Sequence, residues 1–178
     1  TGYWAITDPT NGFTAIHKTA LAGLQLSKIS NDFFFESDML FRLSVGRAVV
    51  FDFSMPASYG DEKSNLRIWK TLRDFPYKHF RNFTKRIFYS YYLRELNIAS
   101  IELPAGILLF GFGIYFGLTR WAEAAALGTP ATAGTVMLSA VPLILGFQLI
   151  LAFLAYDIGA VPTRVRQKHS ISFLPNRT

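Results

Sequence analysis

The sequence contains no cysteine, which excludes disulfide bonds and thiolate metal sites in this chain. Histidine is scarce as well: His17, His79 and His169 are the only copies, and their spacing is not that of metal ligands. We therefore assign no metal site to them. The sequence begins at Thr1 with no basic segment followed by an apolar one. We expect either that a start was removed or that this is the C-terminal part of something longer.

Acidic side chains are missing from the C-terminal tail, where residues 159–178 carry four basic groups and no acidic one. Residues 59–100 carry nine basic and four acidic groups, whereas residues 1–58 carry four and five. The net charge of +6 therefore crowds both flanks of an apolar region. This placement is typical of a membrane protein and makes nucleic acid a poor explanation for the charge.

The apolar region, residues 101–158, is predicted to be a transmembrane hairpin. Its first span runs from Ile101 to Trp121, about 20 residues, which is enough to cross roughly 30 Å of hydrocarbon. The second candidate span is Ala133 to Tyr156, in which Gln148 is the one strongly polar interior residue. The connecting loop holds only one Arg and one Glu. The positive-inside rule thus places residues 1–100 and the tail in the cytoplasm, at the inner membrane.

Gly113 and Gly117 form a GxxxG step in the first span. Such a step lets a second helix approach closely, so a homo-oligomer or a larger membrane complex is one expected state.

The arm over residues 59–100 is predicted to form amphipathic helices at the membrane surface. Because proline disrupts a helix interior, Pro76 should divide the arm into helices from about Glu62 to Asp74 and from Tyr77 to Leu96. Basic side chains gather opposite the aromatic ones, which is typical of a helix lying among lipid headgroups. The same pattern without a membrane beside it would indicate a core helix. The predicted interface residues are Trp69, Phe80, Phe83, Arg81, Lys85 and Trp121.

Residues 1–58 are predicted to be an α/β fragment. The pattern indicates a strand at the start, a turn over Asp8–Gly12, and a helix from Thr14 to Leu24. A second helix follows over FFFESDMLFRLS, and a strand over Arg47–Met55, where apolar residues alternate. Glu36 and Asp38 sit near the N-terminal end of the second helix, where its dipole favours negative charge. A capping and solvating role is therefore the favoured reading of Asp38.

Three segments, followed by amphipathic helices and a membrane hairpin, resemble a known family in their order and spacing. The segments are DPTNGF from Asp8, FESDML from Phe35, and YGDEKS from Tyr59. Together they resemble the C-terminal half of family 2 glycosyltransferases that act on polyprenyl phosphates, the group of dolichol-phosphate mannose synthases and undecaprenyl-phosphate glucosyltransferases. The likeness covers residues 1 to about 120.

The resemblance implies a GT-A fold, a nucleotide-sugar donor and a polyprenyl-phosphate acceptor at the membrane. It also implies Mg²⁺ or Mn²⁺ held by an aspartate-rich motif in the N-terminal half, whose ligands are not in this chain. Residues 1–58 would then be the C-terminal part of the catalytic domain. Carried over to this sequence, the motifs assign catalytic roles to Glu36 and Asp8, and a donor-side turn to Asn11 and Gly12.

Lys63 and Arg67 are suited to hold the acceptor phosphate that the resemblance implies. Gly60 and Ser64 belong to the same YGDEKS segment as Lys63 and are the other expected phosphate-binding residues. The acceptor is already anionic, so cationic and backbone donors that position it matter more than a strong base. The alternative is that Lys63 and Arg67 are solvated charges at a helix start. For Asp8, shaping its own turn is as well supported by the sequence as a catalytic role.

Two functions from different classes stay open. The first is the acceptor-side half of a membrane-anchored glycosyltransferase, expected to be inactive as this isolated chain. The second is a structural membrane subunit of a larger complex, derived from a shortened transferase. A weaker third is a peripheral anchor that tethers partners to anionic lipid.

Overall fold

A computed structural model describes residues 1–53 and 68–164, with side chains from residue 73 onward in the second range. These ranges are mostly helical and contain no β-strand. The helices are α1 (Lys18–Ala22), α2 (Phe35–Val45), α3 (Ile68–Phe88), α4 (Ile98–Leu127) and α5 (Ala133–Gly159), with a 3₁₀ turn at Leu26–Lys28 and a π-helical segment at Tyr89–Arg94. Two compact units result: Thr1–Ser90 with the described residues after Gly159, and Tyr91–Gly159.

The strands predicted in residues 1–58 are wrong for the part that the structure describes, which reaches Phe53. The first residues and the segment after α2 are joined through side chains instead of a ladder: the Tyr3 hydroxyl donates to the Ala48 carbonyl at 2.6 Å, and Asp52 Oδ2 accepts from the Thr7 N–H at 3.0 Å. Phe53 is 79% exposed. The alternating pattern thus lacks the paired neighbour and the covered face that make a strand.

The first unit has a small apolar core centred on α2, against which side chains from the chain before and after α2 pack. Tyr3, Met39, Leu40 and Leu43 are buried together, three of them on α2. The prediction of a helix over FFFESDMLFRLS is confirmed, with Glu36 and Asp38 in its first turn. The helix predicted from Thr14 is shorter, because His17 acts as its N-cap and accepts a hydrogen bond from the Thr19 N–H.

Helix α3 runs through Pro76, so the predicted division of the arm there is wrong. Proline removes one backbone hydrogen bond and crowds the preceding turn. Pro76 lies on an exposed side of α3, where water or lipid headgroups can satisfy the freed carbonyl. The helical arm ends at Arg94, two residues before the predicted Leu96. Its predicted start at Glu62 lies outside the described residues.

Helices α4 and α5 are both long and apolar enough to cross a membrane. Only 11% of the most apolar stretch of each helix is buried. The core helix of a soluble protein would be mostly covered by protein, so this exposure favours lipid as the surrounding medium. Gly128, which ends α4, has a φ of +64°, a left-handed conformation that glycine adopts without strain.

Glycines form the seam between α4 and α5. A Cβ placed on Gly113 would lie 2.8 Å from the Leu143 backbone nitrogen, and one on Gly146 would lie 2.4 Å from the Phe110 nitrogen. The Ser139 hydroxyl donates to the Gly113 carbonyl at 2.9 Å. Gly113 and Gly117 therefore admit a second helix closely, as predicted, and that helix is α5 of the same chain.

Candidate functional site

The turn at Asp8–Gly12 lies against the first turn of α2. A Cβ placed on Gly12 would be 3.6 Å from Glu36 Oε1. Two of the segments singled out in the sequence thus meet in space, although the chain between them contains α1 and a 3₁₀ turn. The structure brings together four of the predicted site residues, which are Asp8, Asn11, Gly12 and Glu36.

Asp8 and Asn11 use their side chains to hold this turn. Asp8 Oδ1 accepts hydrogen bonds from the Thr10 N–H at 3.0 Å and from the Thr10 hydroxyl at 2.8 Å. Asn11 Oδ1 accepts from the Phe13 N–H at 2.9 Å. These short-range bonds are typical of Asx turns. Asp8 is exposed, and its second carboxylate oxygen makes no hydrogen bond within the described residues.

Glu36 is the predicted catalytic residue whose carboxylate is least engaged. It is half-buried and makes no hydrogen bond or ion pair with any described residue. A carboxylate in this position can accept hydrogen bonds from a ligand without first giving up a protein partner. Of the two predicted catalytic acids, Glu36 therefore has both carboxylate oxygens available to a ligand, and Asp8 uses one of its oxygens to hold the adjacent turn.

Asp38 connects three parts of the first unit, a role that the sequence did not reveal. It is 3% exposed. Its Oδ1 accepts from the Asn82 amide at 2.8 Å, and its Oδ2 accepts from the Ser30 N–H and from Arg42 Nε, each at 3.1 Å. Asp38 thus lies buried between α2 and α3 instead of being solvated at a helix start. The feature of the sequence that could have indicated this role is Asn82, a polar residue on the side of α3 that packs against α2.

A second polar contact joins the loop before α2 to α3. Lys78 forms an ion pair with Asp32, and its ammonium lies 5.4 Å from the centre of the Phe34 ring. The Lys78 ammonium, together with the Ser30 hydroxyl and the Phe34 N–H, lowers the pKa of Asp32 to about 2. The His79 ring packs edge-on against Phe34 at 4.8 Å, and burial lowers the pKa of His79.

The remaining surface of α3 carries most of the predicted interface residues. Phe80 is 69% exposed and Phe83 37%, and Arg81 and Lys85 are also exposed. By helical spacing, Arg81 lies about 160° from Phe83, so aromatic and basic side chains occupy different stripes. Ile87, one helical turn beyond Phe83, is buried, unlike the exposed aromatic residues. The side chain of Trp69 lies outside the described residues.

The second unit has a polar cluster at the open end of the hairpin. Asp157 lies near the end of α5 and is 2% exposed. The Tyr91 hydroxyl donates to Asp157 Oδ1 at 2.6 Å, and the Tyr91 ring packs edge-on against Phe153 at 5.4 Å. The Ser100 hydroxyl donates to the Tyr91 carbonyl at 2.5 Å. At the other end of the hairpin Trp121 is 71% exposed.

The predicted phosphate-binding residues Gly60, Lys63, Ser64 and Arg67 lie outside the described residues. In the part of the chain that the structure describes, no group of three or more His, Asp or Glu side chains is placed to hold a metal ion. The residues present there do not fit the Mg²⁺ or Mn²⁺ that the family resemblance implies. Comparison with protein-family models, curated proteins and solved structures gives no match.

Proposed function

We propose that the chain is the acceptor-side half of a membrane-anchored glycosyltransferase, which passes a sugar from a nucleotide sugar to polyprenyl phosphate at the cytoplasmic face of the inner membrane. The observation that carries the proposal is the approach of the Asp8–Gly12 turn to Glu36. Two segments of the family-like pattern form one surface, and the same chain contains a helical pair suited to a membrane.

The chemistry assigned to this half is binding and positioning. In the transfer, an oxygen of the lipid phosphate forms a bond to the anomeric carbon of the sugar, and the bond from that carbon to the nucleotide diphosphate breaks. The acceptor oxygen already carries negative charge, so no residue needs to remove a proton from it. Glu36 would accept hydrogen bonds from sugar hydroxyls, and Asp8 would hold the turn beside it.

The character of the helices supports the proposed placement at the membrane. The exposed aromatic stripe of α3 would lie among acyl chains, and Arg81 and Lys85 would contact anionic headgroups. A lipid phosphate would then be met at the level of the headgroups, where Lys63 and Arg67 are proposed to hold it. The basic residues on both flanks of the hairpin support a cytoplasmic position for these parts.

Binding of the acceptor tests the proposal directly. The 178-residue chain in lipid nanodiscs should bind undecaprenyl phosphate more tightly than undecaprenol, which lacks the charged group. Lys63→Ala should weaken phosphate binding about tenfold, because one charge-assisted contact is lost. Lys63→Arg should retain most of the affinity, and Lys18→Ala serves as the control that removes one exposed positive charge elsewhere. Equal affinity for the phosphate and the alcohol would count against the enzyme assignment.

A structural membrane subunit is the second candidate, and one observation favours it. Asp8 uses one carboxylate oxygen inside its own turn, and Asp38 is engaged in the packing of α2 on α3, so two of the three acids in the FESDML and DPTNGF segments have structural roles. Reading the gene upstream of Thr1 separates the two. An Asp-x-Asp motif after alternating strands and helices supports the transferase, and an initiator Met within a few codons supports the subunit.

The isolated chain should show no turnover with nucleotide sugar, Mg²⁺ or Mn²⁺ and undecaprenyl phosphate, because the metal ligands and the nucleotide site are expected in a part not present here. Observed turnover would refute this expectation.

A further inference from the structure

Gln148 lies on the side of α5 that faces away from α4. Gly146 is in the seam, and Gln148 is two residues further on, which is about 200° around a helix of 3.6 residues per turn. Its side chain is exposed and makes no hydrogen bond with any described residue. The packing of α4 on α5 therefore does not involve the Gln148 side chain.

The depth of Gln148 makes this exposure costly if the hairpin crosses a bilayer. Helix α5 runs from Ala133 to Gly159, and Gln148 is two residues, or about 3 Å, from its middle. The nearest headgroups are then about 12 Å away in a hydrocarbon layer of about 30 Å. A glutamine side chain cannot reach that far, so its two N–H donors and its carbonyl would lie in lipid tails without partners.

Apolar residues continue the same face above and below Gln148. They recur at alternating steps of four and three, which is the spacing of a helix that packs against another helix. Met137 is 59% exposed, Ile144 60% and Leu151 48%. The residues of this outer stripe are Met137, Val141, Ile144, Gln148, Leu151 and Ala155.

We propose that the outer stripe of α5 is a dimerisation surface for a second copy of this chain, with the two Gln148 amides hydrogen-bonded to each other. A carboxamide is self-complementary, because it carries both a donor and an acceptor, so two identical residues can satisfy each other across a two-fold axis. Two copies inserted with the same sidedness present Gln148 at the same depth. A different protein could satisfy Gln148 only if it carried its own polar residue at the same depth, whereas a second copy of this chain always does.

The absence of cysteine makes a direct test possible, because a single introduced thiol has no native competitor. Ala155→Cys places a thiol on the outer stripe of α5. Ile101→Cys is the matched control. Gly106 packs on Ile150 and the two helices are antiparallel, so Ile101, five residues before Gly106, lies at about the same depth as Ala155, five residues after Ile150. Ile101 is 65% exposed on α4. Oxidation of the full chain in native membranes should join Ala155→Cys into dimers and leave Ile101→Cys monomeric.

The role of the amide is tested by adding Gln148→Leu to the Ala155→Cys chain. Loss of an interhelical hydrogen bond should raise the dimer dissociation constant about tenfold, measured by dilution in nanodisc or vesicle lipid. Gln148→Asn should retain most of the association. Leucine on a lipid-facing position does not threaten folding, so the loss of cross-linking can be read as loss of association.

Three outcomes would overturn the proposal: monomers at all lipid dilutions, dimers that Gln148→Leu leaves unchanged, or cross-links from Ala155→Cys to a different membrane protein. None of them bears on the binding of undecaprenyl phosphate, so this proposal and the transferase assignment fail separately.

Discussion

Replacing Asp38 by alanine should destabilise the first unit strongly, because one buried carboxylate connects the loop before α2, helix α2 and helix α3. The change removes acceptors for the Asn82 amide, the Ser30 N–H and Arg42 Nε. Asn82 is 4% exposed, so its amide is left in the interior without this acceptor. Arg42 loses less, because its side chain is 22% exposed and it also donates to the Lys28 carbonyl.

The expected cost follows from these three contacts. A hydrogen bond to a charged group contributes about 1.5–3 kcal/mol, and breaking a buried pair typically costs about 3–5 kcal/mol. Because the contacts are not additive and Arg42 can turn to water, we expect about 3–4 kcal/mol for Asp38→Ala. Asp38→Asn keeps one acceptor oxygen and should cost about 2 kcal/mol. Both are large fractions of the 5–15 kcal/mol typical of a folded domain.

Asp32→Ala is the control, because Asp32 also pairs with a cation but its side chain is 53% exposed. An exposed ion pair contributes at most about 1 kcal/mol. Since the pKa of Asp32 is lowered to about 2, that contribution is present above about pH 4 and is lost as the pH falls toward 2.

The change in unfolding free energy can be measured by denaturant titration of the chain in nanodiscs, with hydrogen exchange of the amides in α2 and α3 as the readout. Exchange at the Ser30 N–H reports the lost contact directly. A double-mutant cycle with Asn82→Ala should give a coupling of about 1–2 kcal/mol between Asp38 and Asn82. The reasoning is refuted if Asp38→Ala costs no more than Asp32→Ala, or if that coupling is absent.

Three further predictions follow from the other packed groups. Burial lowers the pKa of His79, so the unfolded chain takes up a proton first; the unfolding free energy should fall as the pH drops below about 6.5, and His79→Phe should flatten that part of the profile. Gly146→Val should destabilise the hairpin by about 1–3 kcal/mol in detergent unfolding, because its Cβ would lie 2.4 Å from a backbone nitrogen of α4. Gly111→Ala, whose Cβ meets nothing within 4 Å, should leave it unchanged, and equal costs would contradict the seam. Tyr91→Phe should cost about 1–3 kcal/mol by removing the hydrogen bond to Asp157, seen as a lower thermal midpoint; an unchanged midpoint would show that the bond does not stabilise the second unit.

The hairpin could be predicted from sequence because its determinants are local. A helix that faces lipid satisfies its backbone hydrogen bonds internally, so a sufficiently long apolar run specifies the element without reference to the rest of the chain. The observed bounds, Ile98–Leu127 and Ala133–Gly159, extend the predicted spans by a few residues. The predicted strand from Arg47 is absent up to Phe53, where the described residues end, for the opposite reason: alternation specifies a strand only where another strand pairs with it.

The candidate site was predictable in part. The approach of Glu36 to Gly12 brings together two segments that were singled out by their motifs, but this approach depends on how the intervening chain folds. The burial of Asp38 depends on its hydrogen bond with Asn82, and that of Asp157 on its hydrogen bond with Tyr91. Both partners are distant in sequence. The sequence pattern of a carboxylate near a helix start is the same whether the carboxylate is solvated or buried. The sequence alone therefore favoured a solvated Asp38, which is the more common situation.

The glycine seam is complete within one polypeptide, which has a consequence for the order of assembly. Its close contacts need no second molecule, so the pair of helices can come together at any protein concentration and as soon as both have been synthesised. Association through a lipid-facing surface, in contrast, obeys mass action. Dilution into excess lipid should therefore separate neighbouring molecules while each one retains its folded pair of helices.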